Sequence, residues 1–236
     1  MLAILLNSGM GSRMGALTQN NPKSMVEIAP GKTILSNQID TLRALGISKF
    51  VVTTGYMADL LQAYLTEKYS GVDITYVYND AYKETNYIVS LLKAAGATQD
   101  DVLLLHGDLV FSERAARTVL GASGSTVVVD STLPIPEKDF KARLSPSGQV
   151  REIGTNVFGD DCLACQPFYK LDKPDWLRWQ QAIGEFCARG VVTVYAENAL
   201  NAILESMNLM GLDLKGELCM EVDNEADLNI IKEKLG

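Results

Sequence analysis

The chain has 236 residues, of which 47% are hydrophobic and 21% are charged, and its formal net charge at pH 7 is −8. The length and composition are ordinary for a folded protein with a sizeable core, and the charge argues against a broad nucleic-acid or anionic-membrane surface, which needs clustered Lys and Arg. No run reaches the roughly 18 apolar residues of a membrane span, and the first residues lack the basic region of a signal peptide, so we expect a cytoplasmic protein with no membrane partner.

The first predicted element is the strand LAILL at residues 2–6, and it runs into the Gly-rich segment LLNSGMGSRMG at residues 5–15. Glycine lets the backbone approach a ligand closely and adopt positive φ, so such a turn presents amide groups to phosphate oxygens. Arg13 adds a bidentate cation. Taken alone, the segment is equally compatible with a turn that binds nothing.

Strand-like and helix-like segments then alternate up to residue 130. Strands are predicted at 50–55, 74–79, 101–108 and 125–130, and helices at 33–46, 58–69, 86–97 and 112–122. In the first helix, apolar residues recur at helical spacing and Gly46 is placed to end it. This alternation predicts an α/β fold, with three α/β/α layers built on a mostly parallel sheet.

The pattern changes at about residue 131. Prolines are followed by an antiparallel-looking strand pair that turns at SPSG, residues 145–148, and a long helix is predicted at 174–190, capped by Asp175 or its neighbours. We interpret residues 131–205 as a small antiparallel insert for acceptor binding within one domain that spans residues 1–236.

The cysteines and the single histidine limit the chemistry. Cys162 and Cys165 form a C-x-x-C pair, but the only other candidate ligands of this kind are Cys187, Cys219 and His106, with no second pair at metal spacing. Buried, reduced thiols are the better interpretation. Because a Ser or Cys nucleophile would depend wholly on His106, the composition favours chemistry that needs no imidazole, and we expect His106 to be structural.

Charged residues follow several predicted strands at the edge where an open α/β sheet binds ligands. The Gly-rich loop carries Arg13, a Pro-Lys pair supplies Lys23, and HGD places Asp108 after the fourth strand. Near the C-terminus, EVD puts Glu221 and Asp223 on one face of an extended segment. Asp108 with Glu221 or Asp223 would suit Mg²⁺, although each motif alone also fits an exposed turn.

The segment GMGSRMGALTQNNPKSM at residues 9–25 resembles the nucleotidyltransferase signature G-x-G-[ST]-R-[LM]-x-x-L-T-x-x-x-P-K. The resemblance continues in GY at 55–56, in YND at 78–80, in HGD and in the closing EVDNEADLNIIKEKL. The segment YNDAYKETNYIVSL makes the chain most similar to the CTP-using phosphocholine and phosphonate cytidylyltransferases. One departure is LNSG at 6–9, where the family commonly has LAAG. Asn7 and Ser8 replace two alanines there, at the position that holds the base or ribose.

This resemblance implies a nucleotide-diphospho-sugar transferase-like fold and a Mg²⁺-dependent transfer of CMP from CTP to a small phosphate or phosphonate acceptor, with release of pyrophosphate. Catalysis would then depend on Arg13, Lys23 and Asp108, with Mg²⁺ held by Asp108 and by Glu221 or Asp223. The implied nucleotide-binding residues are Asn7, Ser8, Gly9, Met10, Gly11, Ser12, Tyr78 and Asn79. The expected acceptor-binding residues are Asn86, Lys138, Lys141 and Glu197.

The acceptor's phosphate and its other end place different demands on the site. The segment EKDFKARL at 137–144 offers Lys138, Lys141 and Arg143 to an acceptor phosphate, but lysines that protect a solvated edge strand are an equal alternative. A choline-type cation calls for an aromatic cage. Candidates for that cage are Tyr169, Trp176, Trp179 and Tyr195, although the helical spacing of the tryptophans fits a core position at least as well.

Two other functions remain open. One is a sugar-1-phosphate nucleotidyltransferase that uses UTP, GTP or dTTP, and the other is a non-catalytic nucleotide-binding domain. The second is disfavoured because a pure binder would not need the metal-type carboxylates. The expected partners are CTP and the small acceptor, with no nucleic acid, and a homodimer is left open.

Overall fold

Buried aliphatic strands form the centre of the protein in the computed structural model, which describes residues 1–235. The strands are β1 (Leu2–Asn7), β2 (Glu27–Ala29), β3 (Lys32–Thr33), β4 (Lys49–Thr54), β5 (Asp73–Tyr78), β6 (Val102–His106), β7 (Leu109–Phe111), β8 (Thr126–Asp130), β9 (Lys141–Leu144), β10 (Val150–Gly154), β11 (Cys162–Leu171), β12 (Met210–Asp213) and β13 (Cys219–Glu221). The helices are α1 (Ala16–Gln19), α2 (Ile34–Ala44), α3 (Ala58–Lys68), α4 (Tyr87–Ala94), α5 (Glu113–Gly121), α6 (Lys173–Ala188), α7 (Ala196–Asn201) and α8 (Glu225–Leu235).

Nine of these strands share one sheet. Strands β5, β4, β1 and β6 lie side by side and are parallel, as the alternating pattern predicted. Strand β11 continues the sheet antiparallel to β6, β8 lies antiparallel on the other side of β11, and β12 is parallel to β8. The hairpin of β9 and β10, which turns at the predicted SPSG segment, pairs with the first part of β11. The sheet is therefore mostly parallel on one side of β6 and mixed on the other.

Strand β11 is the main element that the sequence did not predict. Almost all of its residues are buried, so it lacks the alternation of polar and apolar side chains that marks a half-exposed strand. It also contains Pro167, which is tolerated because the pairing with β8 shifts register between Gln166 and Tyr169. The predicted insert of residues 131–205 therefore contributes β9, β10 and β11 to the central sheet.

Helices cover both faces of the sheet and complete the three predicted layers. Side chains of α2, α3 and α5 pack with Ala3 and Leu5 of β1 on one face. Side chains of α4, α6 and α7 pack with Leu2 and Ile4 on the opposite face. Because successive residues of a strand point to opposite faces, β1 packs against both helix layers, and all of its residues except Leu6 are buried.

A third, smaller apolar cluster connects distant parts of the chain. Its fully buried members are Met14, Val26, Ile28, Ile34, Val110, Val222, Leu228 and Ile231. Met14 belongs to the Gly-rich segment and Val222 lies between the two carboxylates of EVD, so burial of this cluster fixes the N-terminal loop next to the C-terminal acidic segment. Two motifs about 200 residues apart are thus brought together by packing.

Two local predictions can be compared directly with the backbone. Helix α2 ends as predicted, with Gly46 at φ +92 just after its last turn. The capping residue of α6 is Asp172 and not Asp175, and its side chain makes no capping hydrogen bond. The carboxylate of Asp175 instead accepts a hydrogen bond from Ser125 Oγ at 2.6 Å and pairs with Arg178.

The cysteines are free thiols throughout the described part of the chain. Cys162, Cys165 and Cys219 are buried, as predicted, whereas Cys187 is half-buried. Burial raises the pKa of each of the four thiols, so they stay protonated near neutral pH. No helix within residues 1–235 is long and apolar enough to cross a membrane.

Candidate active site

A cleft of about 300 Å³ opens at the carboxyl ends of β1 and β6 and beside the segment after β5. This is the edge at which open α/β sheets bind ligands. Ten of the predicted site residues line it, namely Asn7, Ser8, Gly9, Gly11, Ser12, Arg13, Lys23, Asn79, Asn86 and Asp108. The cleft also contains residues without a predicted ligand role, among them Tyr82, Tyr87 and His106.

The Gly-rich loop forms one wall of the cleft and has a backbone that requires glycine. Gly11 has φ +61, in the left-handed region, and a Cβ at this position would lie 2.8 Å from Lys23 Cβ. The hydroxyl of Thr18 donates to the Gly11 carbonyl at 2.9 Å and holds the loop closed. Met10, which the resemblance assigned to the nucleotide site, is exposed and does not line the cleft.

Two cations and two carboxylates form an ion-pair network at the cleft. Lys23 Nζ lies 2.5 Å from Asp108 Oδ2 and 2.5 Å from Asp223 Oδ1, and Arg13 Nη1 lies 2.9 Å from Asp223 Oδ2. Burial opposes the charge of Lys23, but the two carboxylates outweigh it and raise the pKa of Lys23 above its ordinary value. Burial would raise the pKa of Asp108, and the charge of Lys23 lowers it below its ordinary value. Both groups are therefore charged at neutral pH.

A second ionic contact lies beside the first. His106 Nδ1 is 3.0 Å from Glu221 Oε1, and both side chains are mostly buried. Burial opposes the imidazolium charge, but the hydrogen bond to Glu221 and its charge raise the pKa of His106 to about 9. Burial and the nearby charge of Asp108 raise the pKa of Glu221. Sequence reasoning missed this pair, because it assigned Glu221 to a metal site with Asp108 and expected His106 to be structural.

The residues present fit a divalent metal ion. Ligand atoms of His106, Asp108 and Glu221 lie within 4.8 Å of one another, and Asp223 shares the ammonium group of Lys23 with Asp108. Asp108 Oδ1 is buried and has no hydrogen-bond partner among the described residues. Carboxylate oxygens are the ligands that Mg²⁺ prefers.

Among the predicted nucleotide-binding residues, Ser8 and Asn79 make hydrogen bonds within the protein, and Tyr78 lies outside the cleft. The amide of Asn79 donates to Thr85 Oγ1 and Ser90 Oγ and accepts from the Ala81 amide, so it shapes the turn after β5. Ser8 Oγ is 3.0 Å from Thr53 Oγ1. Tyr78 is 52% exposed and does not line the cleft.

The predicted acceptor residues fall into two groups. Asn86 lines the cleft at the start of α4, while Glu197 is fully buried below it and accepts hydrogen bonds from the hydroxyls of Tyr87 and Tyr169. Burial raises the pKa of both tyrosines, and the nearby Glu197 raises it further, so they remain donors. Glu197 therefore does not line the cleft itself, but it holds the hydroxyl of Tyr87, which does.

The two lysines of the acceptor prediction require a correction. Lys141 is fully buried and does not line the cleft, and its ammonium group has its donors in use, because it donates to the backbone carbonyls of Pro136, Glu137 and Thr155. Lys138 is exposed and does not line the cleft. The local sequence shows the charge of Lys141 but not the backbone carbonyls that surround its ammonium group.

Aromatic rings form a group beside the ionic network. Tyr87 and His106 have ring centroids 4.7 Å apart, Tyr195 lies 5.8 Å from Tyr87, and Phe140 lies 5.1 Å from Tyr195. We call these four rings the aromatic group. Of them, the sequence singled out only Tyr195 for an aromatic cage. The other candidates are elsewhere, because Tyr169, Trp176 and Trp179 are buried in the core.

The chain belongs to a known family. The sequence profile of a family described as "MobA-like NTP transferase domain" matches residues 3–141, which include the Gly-rich loop, Lys23 and Asp108. The protein is therefore a nucleotidyltransferase, in agreement with the resemblance drawn from the sequence.

Individual relatives share its full length. The choline-phosphate cytidylyltransferase of Streptococcus pneumoniae is 35% identical, over 100% of this chain and 98% of its own. The CTP:phosphoglutamine cytidylyltransferase of Campylobacter jejuni is 27% identical, over 99% of this chain and 100% of its own. Among solved structures, the inositol-1-phosphate CTP transferase from T. maritima superposes with a TM-score of 0.77 at 20% identity, over 99% of this chain and 95% of that one. The superposition on this solved structure confirms the fold.

Proposed function

We propose that the protein is a Mg²⁺-dependent cytidylyltransferase that transfers CMP from CTP to a small phosphate or phosphonate acceptor and releases pyrophosphate. The observation that carries the proposal is the network of Arg13, Lys23, Asp108 and Asp223, joined by ion pairs of 2.5 to 2.9 Å beside a Gly-rich loop. CTP as the donor is supported by full-length relatives that are named cytidylyltransferases.

The phosphate end of the nucleotide belongs at the Gly-rich loop. Arg13 is 67% exposed and extends a guanidinium group at the cleft, where it can bind two phosphate oxygens at once. Lys23 lies deeper, at 12% exposure, and adds a compact charge next to the carboxylates. These two cations offset the repulsion between the triphosphate and an acceptor that is also anionic.

Asp108 and Asp223 are the residues that would hold Mg²⁺, since their oxygens already share one cation. When bound, the ion supplies positive charge that stabilises the triphosphate and the departing pyrophosphate. Glu221 is held by His106, and we assign this pair to the positioning of the acidic segment.

The acceptor needs no general base from the protein. The second pKa of a phosphate monoester is about 6, so its oxygen is already ionised at neutral pH and can attack the α-phosphorus directly. Bond formation at that oxygen and departure of pyrophosphate complete the transfer. The chain's residues then have to position the two anions in line and exclude water. This agrees with a chain that has one histidine, whose Nδ1 is engaged by Glu221.

The acceptor's other end is proposed to be a cationic amine, as in phosphocholine or 2-aminoethylphosphonate. Tyr87 lines the cleft and Tyr195 packs beside it, with ring centroids 5.8 Å apart, so a positive head group can gain a cation–π contact with Tyr87 there. Lys23 and Arg13 are the only Lys or Arg side chains that line the described cleft, and both are assigned to the triphosphate.

The test is a pyrophosphate-release screen of CTP, UTP, GTP and dTTP against phosphocholine, 2-aminoethylphosphonate, phosphorylated amino-acid derivatives and sugar-1-phosphates. The proposal predicts release with CTP and an amine-bearing acceptor, in the presence of Mg²⁺. Release only with a sugar-1-phosphate and another nucleotide would replace it with the sugar nucleotidyltransferase alternative.

A further inference from the structure

We propose that Lys23 competes with the metal ion for the same two carboxylates and leaves them only when a triphosphate draws its ammonium group away. Metal binding is then conditional on nucleotide binding. The inference deepens the proposed function and rests on it for the identity of the metal and the nucleotide. The competition itself follows from contacts within the chain.

The contacts place Lys23 directly between the carboxylates. Its Nζ lies 2.5 Å from one oxygen of Asp108 and 2.5 Å from one oxygen of Asp223, and the three side chains are only 12% to 20% exposed. An ammonium group has three donors, and two of them are directed at these oxygens. Gly11 packs against the Lys23 stem, since a Cβ on Gly11 would lie 2.8 Å from Lys23 Cβ, and this contact limits where the side chain can go.

The electrostatics make this cation necessary to the metal-free protein. Two carboxylates that approach one cation also repel each other, and that repulsion is larger in a partly buried site than in water. Lys23 neutralises it. Mg²⁺ prefers the same carboxylate oxygens, so an incoming ion has to displace the ammonium group or accept fewer ligands.

A triphosphate changes the balance because it offers Lys23 another set of anionic oxygens. Lys23 lines the cleft, next to Arg13 and the Gly-rich loop, so its ammonium group can reach phosphate there by rotation of its long side chain. Movement of Lys23 to the phosphates frees Asp108 Oδ2 and Asp223 Oδ1 for the metal, while Arg13 still pairs with Asp223 Oδ2. Nucleotide and metal therefore bind with positive coupling, and Lys23 transmits the coupling.

The experiment measures Mn²⁺ binding to the full chain, without nucleotide, by electron paramagnetic resonance of the free ion. In Lys23→Met the competitor is removed, and we expect Mn²⁺ to bind at least about tenfold more tightly than to the wild type. Thermal unfolding should show the same change, with a low Tm for metal-free Lys23→Met and a larger rise on addition of Mn²⁺. The matched control is Lys93→Met, which removes one positive charge from an exposed pair with Asp80 and should leave Mn²⁺ affinity unchanged.

Two further variants keep the result interpretable. Lys23→Gln replaces Lys23→Met if the latter does not fold, and Lys23→Met/Asp223→Asn should lose the tightened Mn²⁺ binding if the freed oxygens are the ligands. Wild type that binds Mn²⁺ as tightly as Lys23→Met and Lys23→Gln would overturn the inference, as would tightened binding that survives Asp223→Asn. Because no nucleotide is used, failure of the pyrophosphate-release screen would overturn the proposed function without affecting this result.

Discussion

At the scale of single residues, Asp108 has the most direct consequence for the reaction. It follows β6, pairs with Lys23 and has one buried oxygen without a partner among the described residues. Asp108→Asn removes a negative charge at the assigned metal site while it keeps the shape of the side chain. We expect pyrophosphate release to fall by several orders of magnitude, with an unchanged far-UV circular dichroism spectrum. A near-normal kcat would remove Asp108 from the metal site.

Asn7 is predicted to be kept for ligand binding and not for stability. Both polar atoms of its amide are buried and have no hydrogen-bond partner within residues 1–235. Removing an unsatisfied amide costs little, so Asn7→Ala should keep the free energy of unfolding within about 1 kcal/mol of the wild type. Its affinity for CTP, measured by calorimetry, should fall several-fold. Lost stability with unchanged CTP affinity would show instead that Asn7 is structural.

Single residues also show what sequence can and cannot specify. Arg13, Lys23 and Asp108 were predicted from fixed spacing in a motif, and Asp223 from the alternation of EVD along an extended segment; the structure joins the four side chains by ion pairs. The contact between His106 and Glu221 depends on how β13 pairs with β7, which no local pattern encodes. Lys141 was proposed for the acceptor from its charge, and the local sequence does not show that its ammonium group binds backbone carbonyls instead.

At the scale of elements, the Gly-rich loop depends on Gly11. Any other residue at this position would have to adopt a backbone φ of +61, and its Cβ would lie 2.8 Å from Lys23 Cβ. Gly11→Ala should therefore displace Lys23, raise the KM for CTP and lower kcat. Gly184→Ala is the matched control, since Gly184 lies inside α6 with nothing within 4 Å of a Cβ and should leave the kinetics unchanged. Equal kinetics for Gly11→Ala and wild type would show that the loop tolerates the change.

The loop before β9 depends on Lys141. Its ammonium group donates to three backbone carbonyls and lies 4.1 Å from the centre of the Phe158 ring. Lys141→Met leaves those carbonyls without their donor, so we expect a loss of about 1–3 kcal/mol in the free energy of unfolding. Steady-state kinetics should show the same acceptor KM as the wild type. A raised KM with unchanged stability would restore Lys141 to the acceptor site.

Elements with a clear pattern were predicted well. The parallel strands and their helices alternate in sequence as in the fold, so β1, β4, β5 and β6 were all located. Strand β11 was missed because burial on both sides removes the alternation by which a strand is recognised. Strand β11 determines where residues 131–205 lie relative to the sheet. That position could not be predicted from the sequence, because it depends on which strands β11 pairs with.

At the scale of the whole molecule, the sheet edge assembles a site from three parts of the chain. The N-terminal loop supplies cations, the turn after β6 supplies Asp108, and the C-terminal segment supplies Glu221 and Asp223, which the third apolar cluster holds in place. The aromatic group adds a wall to which residues of α4, β6 and the region after β8 contribute. This distribution explains why the charged centre was predictable from motifs and the acceptor end was not.

The most direct test of the central claim, CMP transfer from CTP, is ³¹P nuclear magnetic resonance of the reaction mixture. Purified protein is incubated with CTP, Mg²⁺ and either phosphocholine or 2-aminoethylphosphonate, and the products are followed over time. We predict equal amounts of pyrophosphate and of a product in which the acceptor's phosphorus is joined through oxygen to that of CMP. Release of free CMP with pyrophosphate, or no reaction with either acceptor while another nucleotide reacts with a sugar-1-phosphate, would contradict the account.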